Sequence, residues 1–161
     1  MVQLIINRTM IKEWLSKLFH TQPIAYEDVI SFRQAFELTE MPIVTFYNNG
    51  EKFHFLLDSG SNNCIIDSNV LEKMTYKETD KVVKVVGLEG NVKEVQCCIL
   101  PLTYKDKEYE YWYMVVDMKK AFSVVKNDTG VTLNGLIGTN FFNHYKYVLD
   151  FDELKAYPKK Q

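Results

Sequence analysis

Apolar and polar positions alternate in short blocks along most of this chain, and the blocks are strand-like. Ile43 to Tyr47 and Phe53 to Leu57 are β-rich runs on either side of Asn49-Gly50, a strong turn signal, and together they predict a hairpin. Lys81 to Cys98 reads as two strands, VVKVV and VKEVQCC, around Gly87-Leu88-Glu89-Gly90. Ile99 to Val116 supplies two more around Lys105-Asp106-Lys107. Tyr145 to Phe151 alternates again, Asp152-Glu153 turns the chain, Leu154 to Tyr157 returns, and Pro158 marks the end. Tyr109, Tyr111 and Tyr113 share one strand face, with Glu108, Glu110 and Trp112 on the other. Such a tyrosine row is expected to pack across strands rather than to form a ligand platform.

Helical spacing is rarer. Thr9 to Phe19 predicts a short helix, with Thr9 as cap and Ile11, Leu15, Leu18 and Phe19 on one stripe. That stripe is expected to pack on its own domain; the sharper alternative is a partner-binding or covering segment. Asp67 to Met74 fits one or two turns, capped by Asp67 or Ser68. The segment from Ile30 to Leu38 fits two patterns. Ile30, Phe32, Phe36 and Leu38 share strand parity, broken by Gln34, while Val29, Phe32 and Phe36 fit one helix face. Ala121 to Gly130 reads as a polar, loop-like connection.

The 161 residues are 47% hydrophobic and 25% charged, which is globular composition for one domain with a single core. A net charge of -2 leaves no nucleic-acid footprint. No apolar stretch approaches the ~20 residues of a membrane span. The start, Met1 to Met10, has too short an apolar run for a signal peptide and no A-x-A-like cleavage pattern, so a cytoplasmic location is expected. Cys64, Cys97 and Cys98 are odd in number, and the adjacent pair points to opposite faces of a strand. They are expected to be buried small hydrophobes rather than a disulfide framework or zinc site.

The stretch from Phe53 to Leu71, FHFLLDSGSNNCIIDSNVL, carries the chemistry. An apolar strand ends in Asp58-Ser59-Gly60-Ser61, and a second apolar pair, Ile65-Ile66, follows. A carboxylate on the end of an apolar strand costs free energy unless something pairs or uses it. The small residues after it let backbone donors approach. His54 is expected to be a packed or surface histidine rather than a base, and Asp67 a cap.

This stretch resembles the active-site motif of the aspartic proteases, apolar-apolar-Asp-Thr/Ser-Gly-Ala/Ser. A second match is Leu136-Ile137-Gly138, the apolar-apolar-Gly triplet that packs behind the catalytic loop in that family. Only one such pair fits, so the chain resembles a single-lobe, retropepsin-like aspartic protease from about Met41 to Tyr157. The resemblance implies an all-β, mainly antiparallel, retropepsin-like acid protease barrel with a short N-terminal helix and one short C-terminal helix beginning near Thr139-Asn140-Phe141-Phe142. It implies residues 1–40 as an N-terminal extension, a helix plus a leading strand over Ile30 to Leu38, and residues 41–161 as the protease domain. The hairpin tip Gly87, Leu88, Glu89, Gly90 resembles the flap over the substrate, an ordinary turn being the alternative. Asp128-Thr129-Gly130 is read as a loop turn, since Lys126-Asn127 precede it and Leu136-Ile137-Gly138 follows too closely for a second lobe.

Hydrolysis by carboxylates needs an acid and a base at once, and this chain offers one good Asp. The resemblance therefore implies an aspartic endopeptidase working as a homodimer, with Asp58 of each subunit meeting across a two-fold axis, Ser59 bridging the loops and Gly60 giving access. The expected partners are an extended peptide or protein substrate and a second copy, with no nucleic acid, membrane, metal or organic cofactor. An inactive peptide- or protein-binding module of the same fold is the alternative. Two departures motivate it: Thr139 stands where retroviral members usually have arginine, and the chain after Tyr145 is longer than the terminal strand those enzymes interleave. A serine hydrolase built on Ser59 or Ser61 lacks a G-x-S-x-G elbow, and His20, His54 and His144 form no partner pattern. No H-E-x-x-H supports metal-dependent hydrolysis.

Overall fold

The structure is a computed structural model that describes residues 31–86 and 92–159. The expected helix over Thr9 to Phe19 and the hairpin tip Gly87 to Gly90 lie outside those residues. Among the described residues, nine strands carry the fold. They are β1 (Ile43–Asn48), β2 (Glu51–Leu57), β3 (Ile65–Asp67), β4 (Lys77–Val86), β5 (Val92–Tyr104), β6 (Lys107–Val116), β7 (Gly135–Ile137), β8 (Tyr147–Asp150) and β9 (Lys155–Pro158). The helices are α1 (Phe32–Thr39), α2 (Lys119–Thr129) and α3 (Thr139–Tyr145), with a 3-10 turn at Ser68–Lys73.

Seven strands form one sheet in the order β1-β2-β7-β3-β6-β5-β4, and β1 also pairs with β5 at Tyr47 and Thr103. Six strands thus close into a barrel, while β4 lies outside on β5. The hairpin expected around Asn49-Gly50 is present, with Val44 opposite Phe55 and Phe46 opposite Phe53. Both turn residues take positive φ, 50° and 82°, the left-handed geometry that Asn and Gly accept most readily. Phe46, Phe55, Leu100, Leu102, Tyr109, Tyr113 and Phe141 fill the interior. The tyrosine row does pack inward: Tyr109 and Tyr113 are buried and Tyr111 is half-buried.

Three expectations are corrected. The leading strand over Ile30 to Leu38 is instead α1. Ser31 and Gln34 settle it with a capping box, in which the Gln34 N–H donates to Ser31 Oγ and the Ser31 N–H to Gln34 Oε1. Phe32 and Phe36 then meet on one face, at 6.0 Å between ring centroids. The loop over Ala121 to Gly130 is α2, which buries Phe122 against Ile43, Val131 and Leu133. It ends at Gly130, whose φ of 80° terminates it. Asp128 and Thr129 are therefore the last helical residues rather than a turn. Finally, VKEVQCC and the strand from Ile99 are one continuous β5.

The Asp67 cap, the β8–β9 return and the burial of the cysteines are as expected. Asp67 caps the 3-10 turn by accepting the Asn69 N–H. β8 and β9 form a separate two-stranded sheet after α3. All three cysteines are free and buried. Among the described residues no helix is long and apolar enough to cross a membrane.

Candidate active site

β2 and β7 run parallel, with Phe55 beside Gly135, Leu56 beside Leu136 and Leu57 beside Ile137. β7 also pairs antiparallel with β3, which in turn runs parallel to β6. The chain therefore leaves β2 at Asp58, loops through Ser59, Gly60, Ser61, Asn62 and Asn63, and re-enters the sheet at Ile65 on the far side of β7. The two motifs singled out in the sequence are brought together here. Asp58 donates its N–H to the Ile137 carbonyl at 2.9 Å, fixing the acid at the end of the Leu136-Ile137-Gly138 segment.

The carboxylate is half-exposed, and its Oδ1 accepts the Gly60 N–H at 2.8 Å. A Cβ on Gly60 would lie 3.1 Å from that oxygen, so glycine gives the donor its close approach. Ser61 donates its N–H to the Asp58 carbonyl at 3.3 Å and its hydroxyl to the Asn63 carbonyl at 2.8 Å. Ser59 and Gly60 are exposed at the loop's apex.

Gly138 closes the loop from behind. A Cβ there would fall 2.5 Å from the Asn63 carbonyl oxygen and 2.7 Å from that of Ser61, inside any tolerable contact. Gly135 is equally constrained, with the Ile65 carbonyl at 2.5 Å and the Phe55 ring at 2.6 Å. Sequence reading missed the residues that complete the clasp. Thr139 donates its N–H (2.8 Å) and its hydroxyl (3.2 Å) to the Ser61 carbonyl. Asn140 donates its N–H to the Asn62 carbonyl at 3.1 Å and its amide to Asn63 Oδ1 at 3.3 Å. The signal was Thr139 itself: a hydroxyl at the first turn of a helix can back-bond to a neighbouring loop.

Cys64 lies behind the loop, its thiol pushed up to about 12 by burial despite hydrogen bonds from the Gly138 and Phe141 backbones. It is a packing residue, not a nucleophile. His54 is buried, with Nδ1 3.0 Å from Thr45 Oγ1. Burial, with help from Lys52, holds its pKa below 6.5. Among the described residues no group of three or more His, Cys, Asp or Glu side chains could hold a metal ion. Gly87, Leu88, Glu89 and Gly90, expected as the flap, lie outside the described residues.

The family model of the aspartyl proteases matches residues 44–141, and the chain belongs to that family. Its fold is retropepsin-like. The retroviral protease-like domain of Ddi1 from Leishmania major superposes with a TM-score of 0.50 at 12% identity, over 75% of this chain and 90% of that one. The EIAV protease complexed with the inhibitor HBY-793 gives a TM-score of 0.42 at 13% identity, over 65% of this chain and 86% of that one. Among curated proteins none matches by sequence.

Proposed function

We propose that the protein is an aspartic endopeptidase that hydrolyses extended peptide substrates as a homodimer, with Asp58 of each subunit forming the catalytic pair. The observation that carries this reading is the Asp58 loop. A half-exposed carboxylate is mounted at a strand end, oriented by the Gly60 N–H and clasped from behind by Gly138 and Thr139. That is the setting of a group held ready to react rather than of a surface acid, whose side chain needs no such support.

A single carboxylate cannot both activate water and protonate the scissile carbonyl oxygen. Two of them about 3 Å apart cannot both ionise readily, so they share one proton and titrate as a unit. The ionised member takes a proton from water as it attacks, and the protonated member donates to the carbonyl oxygen. Ser59 is proposed to hydrogen-bond across the pair, and Gly60 to leave room for the substrate. The β4–β5 hairpin is proposed as the flap that covers a peptide bound as an added strand.

The test is cleavage of a peptide library at acidic to mildly acidic pH. Wild-type protein should cleave, pepstatin should inhibit, and Asp58→Asn should abolish turnover. Equal cleavage by wild type and Asp58→Asn would remove the proposal. A stable, folded protein that cleaves nothing would instead favour an inert peptide-binding module.

A further inference from the structure

The β4–β5 ladder is interrupted near its root. Glu78 stands opposite Cys98 and Val82 opposite Gln96, so Thr79, Asp80 and Lys81 of β4 face Cys97 alone. Extra residues on one strand of a pair break the ladder and bend that strand. The bulge is held in shape by polar contacts. The Lys81 N–H donates to Thr79 Oγ1 at 3.2 Å, and the Gln96 side-chain amide donates to the Thr79 carbonyl. Beside the bulge, between it and the 3-10 turn, lies a cavity of about 500 Å³. That volume falls in the range of small-molecule sites, roughly 300–1,000 Å³.

The floor and the rim of this cavity differ in character. Its floor is apolar: Cys97 and Cys98 are each 2% exposed, and Leu71 and Val115 pack half-buried against the main core. Its rim carries Glu78 and Asp80, both exposed, and among the described residues neither forms an ion pair. The lysines next to them in sequence are engaged elsewhere. Lys77 pairs with Glu110, and Lys81 Nζ lies 3.3 Å from the centroid of the Trp112 ring. None of those four residues lines the cavity. Tyr76, 40% exposed, adds an aromatic side chain to the same rim.

We propose that this cavity binds a small organic cation with an apolar body, and that its occupancy regulates the β4–β5 hairpin. The apolar body lies on the floor, and the cationic head stops at the rim between Glu78 and Asp80. Charge-assisted bonds to the carboxylates and the attraction of a cation for the Tyr76 ring both favour that placement. An anion of the same shape meets two carboxylates and is turned away. A cation without an apolar body gains nothing from the floor. The regulatory half rests on the reading of the hairpin as the flap of an aspartic endopeptidase. The cavity lining joins the 3-10 turn to the bulge at the root of that hairpin and includes no residue of the Asp58 loop. An occupant therefore fixes the root in one geometry and slows the hairpin without competing with the peptide for the acid.

Binding is tested first, without relying on catalysis, by titrating the full chain with tryptamine and following backbone amide NMR signals. Tryptamine carries an ammonium on a planar apolar body. Saturable shifts should appear at Leu71, Gln96 and Val115, with a Kd of about 1 mM or tighter. Indole-3-propionate, which reverses the charge, and methylamine, which removes the apolar body, should not saturate. The double variant Glu78→Gln, Asp80→Asn changes only exposed side chains and should raise the tryptamine Kd at least about fivefold. No saturable binding, or equal binding by wild type and double variant, overturns the site. Cleavage is tested second. Tryptamine should slow peptide cleavage by the wild type, excess peptide should not relieve the slowing, and the double variant should escape it. Bound tryptamine that leaves cleavage unchanged overturns the regulatory half. Saturable binding to a chain that cleaves nothing even without tryptamine would sink the proteolytic reading and leave the site standing.

Discussion

Gly138 and Asn63 touch with no room between them: any Cβ on Gly138 would sit 2.5 Å from the Asn63 carbonyl oxygen. The contact is set by distance rather than backbone strain, since Gly138 has an ordinary extended φ of -96°. It locks the strand leaving β7 against the loop that begins at Asp58. Gly138→Ala must push the two segments apart. The expected cost is that of overpacking a tight site, about 1–3 kcal/mol, read as a lowered denaturation midpoint. Peptide cleavage should fall further than stability, because the displaced segment is the one that orients the acid. An unchanged midpoint would show that the loop is free to give way.

Asp67 holds together three elements away from the site. It is buried, and its Oδ1 accepts the Asn69 N–H (3.2 Å), the Asn69 amide (2.7 Å) and the Met118 N–H at the start of α2 (3.1 Å). Asp67→Ala removes the acceptor of the Asn69 and Met118 backbone N–H groups, while the Asn69 amide keeps Asp117 Oδ1 at 3.0 Å, and two lost hydrogen bonds cost about 1–3 kcal/mol together. The variant should lose that much in chemical denaturation, whereas Asp67→Asn, which keeps an acceptor, should lose less.

His54 makes folding sensitive to pH. Its folded pKa lies below the unfolded 6.5, chiefly through burial. The unfolded chain therefore takes up a proton that the folded chain resists. The resulting stability is fully present above 6.5 and is lost as pH falls from there through the folded value. Denaturation midpoints from about pH 7.5 to about pH 5 should decline in wild type, and the decline should be shallower in His54→Asn. Parallel curves would remove His54 as the cause.

Two buried thiols should be inert. Cys64 is pushed up to about 12 and Cys98 to about 11 by burial, so almost no thiolate exists near neutrality. Iodoacetamide should label the native protein far more slowly than the unfolded one at these positions, as peptide mapping would show. Rapid native labelling at Cys64 would mean that the segment behind the Asp58 loop opens.

Local signals carried much of the fold. The hairpin around Asn49-Gly50, the cap at Asp67 and the β8–β9 return were all legible, because turn chemistry and period-2 alternation act over a few residues. The strand expected over Ile30 to Leu38 failed because Phe32 and Phe36 satisfy both periods, and the capping box of Ser31 and Gln34 decided for helix. α2 was missed because most of its residues are polar and exposed, and only Phe122 is buried. At the site, Asp58 and Leu136-Ile137-Gly138 were visible as motifs. Their meeting was not visible, since a parallel pairing across some eighty residues leaves no local trace. The contributions of Thr139, Asn140 and Asn63 exist only once that pairing is made.

The central claim is that two copies of Asp58 act together, and mixing wild-type and Asp58→Asn chains tests it most directly. If both acids are required, only wild-type pairs cleave, so activity should fall as the square of the wild-type fraction. An equal mixture that has exchanged subunits should keep about one quarter of the activity. A linear fall, with about half the activity remaining, would mean that each chain works alone and would contradict the account.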